Sequence, residues 1–135
     1  MIPANATLEE VQEVFSHDRF ATGACGCRVL EAAPGHAVCS FDITDGHLNE
    51  KGGVMGGAIF TLADLAIAVA ANVGEDPTVS VTASIQFMNR ARGQRLIATA
   101  DADKNGRRLG FYTCLVEDDL GTPVARVIGT CMHPR

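Results

Sequence analysis

One stretch limits what this chain can become. From Val54 to Val73 it reads VMGGAIFTLADLAIAVAANV, 20 residues with a single charge, Asp64. That length matches a membrane span. Asp64 stands at its centre, however, where a carboxylate costs ~3 kcal/mol or more in a bilayer. Thr61 and Asn72 add polarity, and no Lys/Arg cluster flanks either end to set an orientation. The stretch therefore reads as a helix over Gly57–Val73 in a water-soluble protein. It is apolar nearly all round, so other structure must enclose it.

The rest of the chain supplies the enclosure as strands. His36 to Thr44 alternates, with Ala37, Cys39, Phe41 and Ile43 on one face. Val79, Val81, Ala83, Ile85 and Phe87 alternate with Ser80, Thr82, Ser84, Gln86 and Met88, and Leu96 to Asp103 alternates again. Runs at Cys27–Ala32, Leu109–Glu117 and Val124–Met132 complete the set. Pro34-Gly35 and Asp119–Pro123 are turn signals, and Lys104-Asn105-Gly106-Arg107 carries an Asn-Gly hairpin signal. At the start, Thr7-Leu-Glu-Glu10 has the form of a capping box. Leu8, Val11, Val14 and Phe15 follow at helical spacing, predicting a short helix from about Leu8 to Ser16. The expected class is α+β, an antiparallel curved sheet wrapped around one long central helix.

With 135 residues, 47% of them hydrophobic, the chain fits one domain over residues 1–135 with a real core. A net charge of −5 argues against a nucleic-acid groove, which needs clustered Lys and Arg. The first residues, MIPANATLEEVQEVF, hold neither a basic segment nor an apolar one, so no secretory signal is expected. Cys25, Cys27, Cys39, Cys114 and Cys131 are odd in number and scattered. Cys25 and Cys27 are too close for a zinc knuckle, and no His pair has ligand spacing. Inert core thiols, no metal and a reducing cytoplasm are the expectation.

Three features carry chemistry. Asp64 is the lone charge of a helix that demands burial, and an unpaired buried carboxylate is costly. Gly57, Thr61, Asp64, Ala68 and Ala71 fall on one helix side at three- and four-residue steps, and apart from Asp64 they are small. Such a face admits a second backbone, the same helix of a partner subunit being the obvious one. Gly56-Gly57 opens the helix with free N–H groups at its positive end, a ready oxyanion site. His47 and Asn49 lie in the polar loop before it, DGHLNEKGGVMGG; a lone His in such a loop is usually exposed.

Together the run GHLNEKGGVMGGAIFTLADLAIAVAAN resembles the signature of hotdog-fold thioesterases of the phenylacetate-pathway, PaaI-like type: an Asn, a Gly-Gly helix start and an Asp near mid-helix. VSVTASIQFMNRARGQRLIATA resembles the family's next two strands. The resemblance implies an acyl-CoA thioesterase without metal or redox cofactor, coenzyme A being part of the substrate. By the same resemblance Asp64 would activate water, or attack the thioester itself. Gly56 with Gly57 would bind the thioester oxygen, Asn49 would hold water or thioester, and Ser80 would stand beside the nucleophilic water. The family's Asp comes from one subunit and its Asn and Gly from the other, so a homodimer or homotetramer with interfacial sites is implied. Met55 stands where many members have His, so any imidazole contribution is lost; a dehydratase, which wants a helix His, is disfavoured. Arg90, Arg92 and Arg95, or Arg107 and Arg108, are the candidate contacts for the CoA phosphates. Phe60, Leu62 and Phe87 are candidates to line the acyl group, and His47 and Met55 are further substrate-binding candidates. The rival is a non-catalytic acyl-CoA-binding or sensing protein, to which Met55 lends some support.

Overall fold

The computed structural model describes residues 1–75 and 77–134. Helix α1 spans Leu8–Phe15. Its Thr7 cap works in both directions: Thr7 Oγ1 accepts the Glu10 N–H at 3.2 Å, and Glu10 Oε1 accepts the Thr7 N–H at 3.1 Å. A π-helical turn follows over Arg19–Ala24, which no periodicity announces. Asp18 caps it, its Oδ1 accepting the N–H groups of Phe20 and Ala21 at 2.9 and 2.8 Å.

Six strands form one antiparallel sheet: β1 (Arg28–Ala33), β2 (His36–Asp42), β3 (Val79–Phe87), β4 (Arg95–Asn105), β5 (Leu109–Asp118) and β6 (Pro123–Met132). The spatial order is β1-β2-β4-β5-β6-β3. Between β2 and β3 the chain makes α2, Gly56–Asn72, which lies mainly against β2, β4 and β5. Leu62, Ala63, Ala66, Val69 and Ala70 of α2 are buried against Ala37, Cys39 and Phe41 of β2, Ala98 and Ala100 of β4, and Tyr112 and Cys114 of β5. Alanine on both surfaces lets helix and sheet approach closely, while each large side chain fully buried there stabilises by ~1.5–3 kcal/mol. No helix among the described residues is long and apolar enough to cross a membrane.

Three local expectations change. The Asn105-Gly106 hairpin forms, but neither residue has positive φ. Asn105 stays in β4, and the connection is Gly106–Arg108, closed by the Gly106 N–H on the Leu109 carbonyl at 2.8 Å. The second concerns β3, the most regular alternation in the sequence. It is the sheet edge, and all of it except Ile85 is exposed, Val81 and Phe87 each at 57%. Geometry explains this: six strands at ~4.8 Å spacing make a sheet ~25 Å wide, and a helix ~10 Å across cannot cover it. Third, the helix side expected to take a partner is open at Gly57 and Asp64, but Ala71 on the same side is buried.

Candidate active site

The loop leading to α2 is built from the inside. His47 is not at the surface as its polar neighbours suggest. It is 8% exposed, and its ring stacks on Phe41 with centroids 4.1 Å apart and planes 15° from parallel. Its Nδ1 accepts the Thr44 N–H at 3.0 Å, and Nε2 donates to the Cys25 carbonyl at 2.8 Å. Both ring nitrogens are thus engaged within the chain, which leaves neither for a hydrogen bond to substrate. Its carbonyl accepts the Met55 N–H at 2.8 Å, so the residue fixes the entry to α2.

Asn49 closes a tight loop. Its N–H donates to the Gly53 carbonyl at 2.8 Å, and Oδ1 accepts the N–H groups of Lys51 and Gly53 at 3.0 and 3.1 Å. Gly52 turns the corner at φ +77°. The side-chain amide of Asn49 donates to nothing among the described residues. Met55 is the N-cap of α2 without a capping side chain, and its carbonyl takes the N–H groups of Ala58 and Ile59. Those of Gly56 and Gly57 find no acceptor among the described residues, as the geometry of a helix start requires. The missing side chain at Gly56 makes room for a ring rather than leaving an empty approach: a Cβ there would lie 3.0 Å from Phe87 Cζ. A Cβ on Gly57 would meet only Met55 Cγ, at 4.0 Å.

Asn49, Gly56 and Phe87 line one pocket of about 450 Å³ together with Lys51, Ile59, Met88, Asn89 and Arg90. Every charged residue in that lining is cationic. Of the other candidates, Met55 is exposed beside the helix start, Phe60 is half-buried against the core, and Leu62 is wholly buried. Arg95 is paired with Asp42 at 3.0 Å, and Arg92 is exposed. Arg107 and Arg108 lie at the far end of β4, on the order of 30 Å from Arg95 by strand rise.

Asp64 belongs to a second cluster. It is exposed in the single chain rather than buried, yet partial loss of water and then the nearby Asp18 charge push its carboxyl above the usual aspartate range. Burial raises the Cys131 thiol, and the Asp64 charge adds to the rise. Cys131 Sγ in turn meets Ser80 Oγ at 3.9 Å. Strict alternation groups Ser80 with Thr82 and Ser84, but β3 has a bulge between Ser80 and Thr82. Ser80 therefore pairs with the buried Cys131, on the face that carries Ala83, Ile85 and Phe87 opposite Gly129, Val127 and Ala125. Eight residues separate Gly56 from Asp64, ~12 Å along the helix axis. The two clusters of one chain cannot grip one carbonyl carbon. Among the described residues no group of His, Cys, Asp and Glu could hold a metal ion.

The fold is the hotdog architecture, and the family and relatives it matches are thioester hydrolases. The chain belongs to the Thioesterase superfamily, whose family model matches residues 51–125. Human acyl-coenzyme A thioesterase 13 is 34% identical over 86 residues, 62% of this chain and 61% of that protein. Acyl-coenzyme A thioesterase PaaI of Escherichia coli is 30% identical over 102 residues, 72% of this chain and 73% of its own. Among solved structures, zebrafish thioesterase superfamily member 2 superposes with a TM-score of 0.84 at 30% identity, covering 96% of this chain and all of the other.

Proposed function

We propose that residues 1–135 act as one catalytic domain that hydrolyses an acyl-CoA, with a small aromatic or short- to medium-chain acyl group, to the free acid and coenzyme A. Asp64 is the general base. It takes a proton from water as the oxygen adds to the thioester carbonyl, and it returns that proton to the departing sulfur as the C–S bond breaks. A carboxylate with raised proton affinity suits the task. The Gly56 N–H, with Gly57 beside it, receives the charge that grows on the carbonyl oxygen, worth roughly 3–4 kcal/mol per donor. Asn49 offers its unused amide to the water or thioester, and Ser80 orients the water on the Asp64 side. Met55 and Phe60 flank the acyl group, while Arg90, Arg92, Arg107 and Arg108 serve the phosphates.

The ~12 Å between Gly56 and Asp64 carries the quaternary part of the proposal. A second copy whose α2 runs antiparallel along the open Gly57–Asp64 face would set its Asp64 beside this chain's Gly56. Its helix would also cover the inner face of β3 that α2 leaves bare, including Phe87. The same pairing would carry the partner's Arg107 and Arg108 toward this chain's pocket. We therefore read the functional unit as a homodimer, or a tetramer of such dimers, in a reducing cytoplasm that keeps the buried thiols intact.

A thiol-release assay over aryl- and alkyl-CoA esters, run beside Asp64→Asn, tests the chemistry. The wild type should turn over at least one class, and the variant should lose ~10²–10⁴-fold in kcat. A folded Asp64→Asn protein with normal rates would remove the base. CoA esters bound without turnover would return the chain to the binding-protein reading.

A further inference from the structure

Asp118 ends β5 and is 1% exposed, yet no cation pairs with it among the described residues. Its carboxylate is spent on backbone. Oδ2 accepts the N–H groups of Arg92 and Gly93 at 2.8 and 2.9 Å, and Oδ1 accepts those of Leu120 and Thr122 at 2.9 and 2.8 Å. Two of these donors belong to the β5–β6 turn and two to the segment joining β3 to β4. Asp119 reinforces the tie, its Oδ1 accepting the Gln94 and Arg95 N–H groups at 2.9 and 3.3 Å. The approach is so close that a Cβ on Gly93 would collide with Asp119 Oδ1.

The clamped segment carries a wall of the pocket: Met88, Asn89, Arg90 and Ala91. Arg90 lies two residues before the first clamped N–H. Its guanidinium rests along Gly52 and Gly53 and reaches the Lys51 carbonyl at 3.4 Å. No carboxylate lies within ion-pair distance of Arg90 or Lys51 among the described residues. On a chain of net charge −5 these two cations, facing a pocket without acids, are a local exception suited to a polyanion.

We propose that Asp118 is a positioning residue for phosphate recognition: by clamping the segment after Arg90 it holds the guanidinium ready for the phosphate end of a CoA ester. This rests on the acyl-CoA reading above. A pre-set arginine binds without first ordering its loop, which saves an entropy that a free segment would spend at each binding event. Asp118→Asn replaces one acceptor oxygen by an NH₂ that faces two N–H donors, so one side of the clamp opens.

Calorimetric binding of coenzyme A, with pantetheine as the ligand lacking the phosphates, tests this in four proteins: wild type, Asp118→Asn, Arg90→Gln and the double variant. Asp118→Asn should weaken coenzyme A about tenfold, the size of one lost charge-assisted bond, and pantetheine less than about twofold. In the Arg90→Gln background the same change should cost less than about twofold, because its target is already gone. Equal losses for both ligands, or the same factor in both backgrounds, would make Asp118 a purely structural residue and overturn the proposal. Should Asp118→Asn fail to fold, Gly93→Ala displaces the same segment from the Asp119 side and enters the cycle in its place. A wild type that hydrolyses CoA esters while the cycle is additive removes this inference alone. One that neither binds coenzyme A nor cleaves its esters removes the acyl-CoA reading with it.

Discussion

Two inactive variants should restore each other. If the Asp64 of one chain works with the Asn49 and Gly56 of another, lesions in the two clusters fall in different sites of a mixed dimer. Asp64→Asn removes the base. Asn49→Ala removes the oxygen that accepts the Lys51 and Gly53 N–H groups, and with it the loop that presents Gly56. Each homodimer carries one lesion in every site. A hybrid dimer carries both lesions in one site and none in the other, so its activity should be about half that of the wild type. Random exchange of equal amounts makes half the dimers hybrid, giving about one quarter of wild-type activity. The parents sit far lower, since a lost general base alone costs ~10²-fold or more. Thiol release from a hybrid purified on two different tags reads the result directly. If Asp64 instead served the Gly56 of its own chain, every site in the hybrid would keep one lesion and activity would remain at the mean of the parents. That outcome, in a verified hybrid, would refute the argument from the ~12 Å helix separation.

Two further outcomes follow from local geometry. His47→Ala strips partners from the Thr44 N–H and the Cys25 carbonyl and removes the ring stacked on Phe41, so urea unfolding should show a loss of about 2–4 kcal/mol; a loss under ~1 kcal/mol would contradict the bracing role. Asp18→Asn keeps the oxygen that caps the π-helical turn but deletes the charge that repels a proton-free Asp64. The base is active when deprotonated, so the acid limb of kcat/KM should lie above the ordinary aspartate range and move to lower pH in this variant. An unmoved limb, or one shifted upward, would separate Asp18 from the titration.

The sequence made the secondary structure readable because its signals are local. The capping box at Thr7 and Glu10, the alternation from His36 and the apolar run around Asp64 each sit within a few residues of the element they define. Gly56 stood out as a helix start, Asn49 through the family signature and Phe87 as a candidate acyl lining, and the three line one pocket. What could not be read depends on distant partners. The bulge that turns Ser80 toward Cys131 is set by the ladder with β6, some 50 residues away in the chain. His47 looked like a solvated loop residue because its acceptor, the Cys25 carbonyl, belongs to another segment. Asp118, between the strand read to Glu117 and the turn read from Asp119, gave no signal of its own, since two of the four N–H groups it gathers come from the β3–β4 connection.

The same distinction explains the best-patterned strand. Alternation in β3 predicts one face against a core, and within the chain that core is missing at the Phe87 end: Phe87, on the inner face with Ala83 and Ile85, is 57% exposed, while the bulge after Ser80 leaves Val79 on the other face, opposite Met132. A pattern of period two costs nothing to a solvated strand and gains it nothing, so its presence calls for a surface to bury against. One helix cannot provide that surface, because ~10 Å of helix lies on ~25 Å of sheet. A second α2 would, and it is also what the separated Asp64 and Gly56 need if they are to meet at one thioester. The apolar face of β3 and the split catalytic groups are independent features of the sequence, one about stability and one about chemistry. Both call for the same missing element, and the mixed-dimer experiment would detect it through the chemistry alone.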